Sequence, residues 1–119
     1  MKRTWMIVLI LAAVAVGVMA QMEPGAGMFM QAMDSGMKKM DHDMAAADMN
    51  GEVDHDFATM MTPHHQGAID MAKAELIWGT NPVMRRLAEE IIVEQQSEID
   101  VMQLWLQKKS ATKANKDPS

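Results

Sequence analysis

The sequence contains no cysteine among its 119 residues. Zinc sites built on thiolates, iron–sulfur clusters and thiol redox catalysis are therefore excluded, and no disulfide can stabilise the fold. Aromatic side chains are also scarce, with three Trp, two Phe and no Tyr. The stability of so small a protein must then come from helix packing, a bound metal or oligomerisation.

Methionine, in contrast, is abundant, with 16 in the chain. Met1, Met6 and Met19 lie in the first 20 residues, which leaves 13 in the rest of the chain. Met fills irregular cores, but a core built for rigidity uses Leu, Ile and Phe, which specify their packing better than a flexible thioether. We therefore expect that the Met residues have a role other than packing, which depends on their sulfur atoms.

Basic residues are outnumbered by acidic ones, 11 against 16, and the formal net charge is −5. Without Lys2 and Arg3, the balance in residues 21–119 is 9 against 16, a net charge of −7. Nucleic acids and anionic lipids are bound through basic faces that displace counterions. The acidic balance argues against both as partners and suits a protein that attracts cations.

Residues 1–20 have the pattern of a secretory signal peptide. Lys2 and Arg3 precede an apolar run from Trp5 to Met19, and Val18-Met19-Ala20 matches a small-residue cleavage site. The run is shorter than the roughly 20 residues that a membrane-spanning helix needs. We therefore predict a cleaved signal and a periplasmic or secreted protein, with no membrane attachment after cleavage.

The rest of the chain predicts one all-α domain. Residues 21–29 begin with a stretch rich in Gly and Pro, which predicts a flexible lead-in. Residues 30–107 repeat apolar side chains at helical spacing, and the polar residues 108–119 predict a disordered tail. We expect a small antiparallel bundle of three main helices.

The first predicted helix carries a stripe of Met residues at alternating spacings of three and four. Its start is open, because Asp34 or Ser35 would also cap a helix that begins later. Asn50-Gly51 is typical of a helix end. The stripe consists of Met30, Met33, Met37, Met40 and Met44.

The second and third predicted helices meet at a tight turn. Pro63 lies inside the second helix, so we expect either a kink or a new start capped by Thr62. Asn81-Pro82 is a strong start for the third and longest helix. The second helix carries a stripe of Phe57, Met61, His64, Ala68 and Met71.

Antiparallel helices of equal rise let the turns predict which residues face each other. The turn after Trp78 places Gln95 and Glu98 opposite His64 and His65 to within a turn. By the same argument Met102 faces Met61, and the first turn brings Met37 and Met40 level with this site. Three helices would thus gather thioethers, two imidazoles, an amide and a carboxylate.

This set of side chains favours copper. Thioethers bind hard cations poorly, whereas Cu(I) accepts Met and imidazole readily. Gln95 and Glu98 are expected to orient the imidazoles rather than to bind metal. Without a metal, adjacent imidazoles about 100° apart on a helix would divide into one buried and one exposed. The candidate ligands are His64, His65, Met60, Met61, Met71, Met37, Met40 and Met102.

Two similar segments flank the first turn. His42 lies in DHDM (Asp41 to Met44) and His55 in DHDF (Asp54 to Phe57). Each predicts either a secondary, more exposed site for Cu(II), through imidazole and carboxylate, or a solvated acidic helix end.

The block MMTPHHQGAIDMA at 60–72, followed by LAEEIIVEQQSEIDVMQLWL at 87–106, resembles the CopM-like proteins, a ferritin-like helical domain. The resemblance implies an exported protein that binds copper, Cu(I) in particular, and acts in copper tolerance or delivery as a metallochaperone. Other copper-handling proteins would then be its partners, and a homo-oligomer is compatible with this role. The resemblance extends the implied ligands to Met44, beside the candidates already named.

Other functions would require other residues or a different placement of the Met side chains. A di-iron enzyme on a ferritin-like bundle needs two Glu-x-x-His motifs, and this chain has one, from Glu52 to His55. No Ser or Cys nucleophile pairs with a base either, so we expect no enzymatic activity. A Met-rich helical interaction module without a metal is the main alternative, and scavenging of oxidants by exposed Met is a third.

Overall fold

The computed structural model describes residues 22–116, and these residues form three α-helices and no strand. The helices are α1 (Ala26–Ala45), α2 (Val53–Trp78) and α3 (Pro82–Lys116). The predicted all-α bundle of three antiparallel helices is therefore confirmed. The predicted signal peptide lies outside the described residues. None of the three helices is long and apolar enough to cross a membrane.

Both ends of the predicted domain differ from the structure. α1 begins at Ala26, inside the predicted lead-in, because Gly25 adopts a left-handed φ of 89° that ends the preceding turn. A side chain at Gly25 would also meet the indole of Trp78. α3 continues to Lys116, so most of the predicted disordered tail is helical. Residues 108–116 contain no Gly or Pro and are rich in Lys and Ala, which favour helices, and the basic side chains suit the C-terminal end of the dipole.

Pro63 does not interrupt α2, which runs unbroken from Val53 to Trp78. The predicted new start at Thr62 is therefore wrong. The Thr62 hydroxyl instead donates a hydrogen bond to the carbonyl of Ala58 at 2.8 Å, as a Ser or Thr inside a helix often does. Packing on both sides of α2 outweighs the local cost of proline here.

The turn between α2 and α3 is fixed by side-chain hydrogen bonds. Before α3, the Asn81 side chain accepts from the N–H groups of Val83 and Met84 at 2.9 and 3.2 Å, which confirms the predicted cap. Arg85 donates to the carbonyls of Leu76 and Gly79 and so satisfies the C-terminal end of α2.

The central helix carries most of the core. The buried apolar side chains are four alanines and two isoleucines: Ala58, Ile69, Ala72 and Ala74 on α2, and Ala88 and Ile99 on α3. Within the described range, α1 contributes no fully buried residue. The domain therefore depends on many half-buried side chains, of which Met supplies a large share.

α1 and α3 both pack against α2 rather than against each other. No Cα atom of α1 lies within 8 Å of one in α3 along the described helices. An open apolar trough of about 320 Å³ remains between them. α2 forms its base, α1 and α3 form its walls, and its lining includes Phe29, Met33, Met71, Met84, Leu87 and Ile91.

Candidate metal centre

His65 is the polar side chain that the fold buries, with 8 % of its surface exposed. Its Nε2 atom lies 2.5 Å from Oε2 of Glu98, across the interface of α2 and α3. Its other ring nitrogen, Nδ1, is buried and has no hydrogen-bond partner among the described residues. An unsatisfied buried polar atom is costly, so this nitrogen marks a place where a ligand would be stabilising.

A cavity of about 410 Å³ opens beside His65, between α2 and α3. The thioethers of Met61 and Met102 line the same cavity, one from each helix. The antiparallel register predicted from the sequence paired these two Met residues, and it also placed Glu98 opposite His65. The remaining lining residues are Phe57, Ser97, Glu98 and Val101.

His64 has a different environment from its neighbour. It is exposed, and its ring centroid lies 6.0 Å from that of His65, with the planes at 61°. One buried and one exposed imidazole is the division expected without a metal, since successive side chains point about 100° apart. His65 is therefore the stronger of the two candidate ligands, and His64 remains accessible at the rim.

The Met residues of α1 lie elsewhere. Met40 packs on Gly67, where an added Cβ would lie 2.6 Å from its Sδ atom. Gly67 follows His65 by two positions, so it faces about 160° away from it around α2. None of the described α1 residues lines the cavity beside His65. The sequence predicted that residues of all three helices meet at one site. The structure instead places Met40 of α1 and the cavity beside His65 on two different faces of α2.

The other predicted Met ligands are spread along the bundle. Met37 is 44 % exposed, whereas Met44 and Met60 are half-buried. Met71 lines the trough together with Met33 and Met84, so that each helix contributes one thioether there. The sequence placed Met33 on the stripe of the first helix but did not identify Met33 or Met84 as site residues, because a stripe alone does not show which side chains share a cavity.

Near the first turn, the imidazoles of His42 and His55 each lie beside a carboxylate that also has other hydrogen-bond partners. Lys39 lies 2.5 Å and His42 3.1 Å from the carboxylate of Asp43, and these hydrogen bonds lower the pKa of Asp43. Asp56 accepts from the N–H groups of Asn50 and Gly51 and contacts His55 at 3.1 Å. A cation at either segment would have to compete with these partners.

The pKa of Asp56 is lowered mainly by the hydrogen bond from the N–H of Asn50 and then by the one from His55. The carboxylate thus serves to hold the turn between α1 and α2. Within residues 22–116, no three His, Asp or Glu side chains gather into a cluster that could hold a metal ion.

Comparison with known protein families matches residues 9–106 to the family described as "Domain of unknown function (DUF305)". The match covers more than half of the chain, and the protein therefore belongs to this family. No curated protein matches the sequence.

Proposed function

We propose that this protein is an exported copper-binding protein that holds Cu(I) through Met and His side chains. The resemblance of residues 60–72 and 87–106 to the CopM-like proteins supports a role in copper tolerance, sequestration or delivery as a metallochaperone. The observation that carries the proposal is the cavity between α2 and α3. Its lining brings together Met61, Met102 and His65, and the Nδ1 atom of His65 is buried and has no hydrogen-bond partner among the described residues.

The chemistry of these donors suits Cu(I). Two thioethers and one neutral imidazole nitrogen are soft or intermediate ligands without charge, and Cu(I) accepts such ligands readily. Mg²⁺, Ca²⁺ and Mn²⁺ prefer several oxygen ligands, and among the side chains that line this cavity only Ser97 and Glu98 carry oxygen. The carboxylate of Glu98 is engaged by His65.

The test is a titration of the purified protein with Cu(I) against a competing chelator. His65→Ala should weaken binding by about 100-fold or more, since a buried ligand is lost, whereas His64→Ala should cost less than tenfold. Met61→Leu and Met102→Leu remove only the sulfur and keep a similar volume. Each should weaken binding about tenfold, because one of three donors is lost.

The matched controls are Met28→Leu and Met49→Leu, which alter exposed Met residues outside the cavity. Both should bind as the native protein does. Native-like affinity in His65→Ala would show that the proposed site is wrong, even if the protein still bound copper elsewhere.

The apolar trough supports a second candidate function, an interaction module that needs no metal. Its lining is almost entirely apolar, and it is bordered by exposed Met84 and Leu87. Pliable Met-rich surfaces of this kind accept partner helices. A native protein that fails to bind Cu(I) in the titration would favour this candidate over copper binding.

A further inference from the structure

The hydrogen bond between His65 and Glu98 determines where the imidazole carries its proton. A carboxylate accepts hydrogen bonds, and a neutral imidazole has one donor nitrogen and one acceptor nitrogen. Because Nε2 lies 2.5 Å from Glu98 Oε2, Nε2 is the donor. Nδ1 then holds a lone pair, and this is the buried atom without a hydrogen-bond partner in the described structure.

We propose that Glu98 is a positioning residue of the copper site, which holds His65 in the Nε2–H form so that Nδ1 is the atom that binds Cu(I). The inference rests on the proposed function. Imidazoles that bind metals generally donate their other N–H group to a carboxylate, carbonyl or water, which fixes the ring and makes the ligand nitrogen more basic. His65 has this arrangement, because its Nε2–H group donates to the carboxylate of Glu98.

The charge of Glu98 has a second consequence. The imidazole of His65 and the thioethers of Met61 and Met102 are neutral ligands, so one carboxylate balances a monovalent ion but leaves a divalent ion with an excess positive charge. The Glu98 side chain is 59 % exposed, however, and water screens its charge. The hydrogen bond therefore contributes more to affinity than the charge does, and an uncharged acceptor should preserve most of the effect.

The experiment combines NMR of the metal-free protein with Cu(I) affinities. Imidazole ¹⁵N shifts in ¹⁵N-histidine-labelled protein, assigned with His65→Ala, should show the Nε2–H form for His65. Glu98→Ala removes the hydrogen bond that fixes the ring and should weaken Cu(I) binding about 10- to 100-fold. Glu98→Gln keeps an acceptor oxygen and should stay within a few-fold of the native affinity. On Cu(I) binding, the Nδ1 resonance should shift while Nε2 keeps its proton.

The matched control is Glu94→Ala, one turn earlier on α3, at an exposed residue for which the described structure has no hydrogen bond to His65. It should leave both the ¹⁵N shifts and the affinity unchanged, and far-UV circular dichroism should show that all variants are helical. An Nδ1–H form in the native protein would overturn the role of Glu98. Native affinity in Glu98→Ala would do the same.

The two proposals fail in different ways. If Glu98→Ala binds Cu(I) normally while His65→Ala does not, the copper site stands and the positioning role is refuted. If His65→Ala binds as the native protein does, the proposed copper site is refuted. If the native protein does not bind Cu(I) at all, the proposed function itself is refuted. The role of Glu98 in copper binding falls in both cases.

Discussion

Gly67 should be intolerant of a methyl group, although it lies in the middle of a helix. Alanine is favoured over glycine in a helix by about 1 kcal/mol. A Cβ at Gly67 would lie 2.6, 2.9 and 3.0 Å from Sδ, Cγ and Cβ of Met40. Overpacking of this kind costs about 1–3 kcal/mol, and the Met40 Cβ cannot rotate away. Gly67→Ala should therefore lower the free energy of unfolding by about 0–2 kcal/mol.

Gly36→Ala is the matched control on α1. Its added Cβ would meet only the Cβ of Asp70, at 3.9 Å, which is ordinary contact. This variant should gain the full helical preference and stabilise the protein by about 1 kcal/mol. Urea unfolding curves measure both variants, and the structure predicts a difference between them of about 1–3 kcal/mol.

A double-mutant cycle tests the cause of that difference. Met40→Ala removes two of the three close atoms, so Gly67→Ala should be tolerated better in the Met40→Ala background than in the native one. Contacting residues are coupled by about 0.5–3 kcal/mol. If Gly67→Ala stabilises the protein as much as Gly36→Ala does, with no coupling to Met40, α1 does not pack on this face of α2.

Two further predictions concern α2. Because hydrogen bonds lower the pKa of Asp56, this group stabilises the folded state above its unfolded pKa of about 3.9, and the contribution is lost as the pH falls through the lower, folded pKa. The urea midpoint of Asp56→Asn should therefore lie below the native one at pH 7, and the difference should shrink as the pH falls below the unfolded pKa of this group. A difference that does not change with pH would contradict this assignment. Pro63→Ala should raise the free energy of unfolding by about 2 kcal/mol. An interior proline destabilises a helix by about 3 kcal/mol, whereas alanine makes the unfolded chain more flexible and so lowers the free energy of unfolding by about 1 kcal/mol. A lower urea midpoint for this variant would show that the proline ring packs favourably.

The helices and the pairing of α2 with α3 were predictable because they depend on local rules. Asn81 and Pro82 define the start of α3, and a tight turn with constant helical rise then sets the register. That register brought Glu98 to His65 and Met102 to the level of Met61. The structure joins the first pair by a hydrogen bond and places the second pair in one cavity.

The position of α1 was not predictable in the same way. A longer connection follows Ala45, so turn geometry does not fix which face of α2 the first helix covers. The close approach of Met40 to Gly67 determines it, because only glycine leaves room for that side chain. A glycine in the middle of α2 was the available signal, since such a residue often permits close packing of another element.

Because the core is small, the role of the Met side chains in packing is difficult to separate from a role of their sulfur atoms in metal binding. Within residues 22–116, four of the six buried apolar residues are alanines, so the half-buried Met side chains fill much of the space between the helices. Met61 and Met102 would therefore both pack α2 against α3 and bind the ion between them. Truncation to alanine would remove the two roles together and leave a cavity. Leucine keeps the packing and removes only the thioether, so a loss of Cu(I) affinity in the leucine variants at unchanged stability is the result that isolates the sulfur.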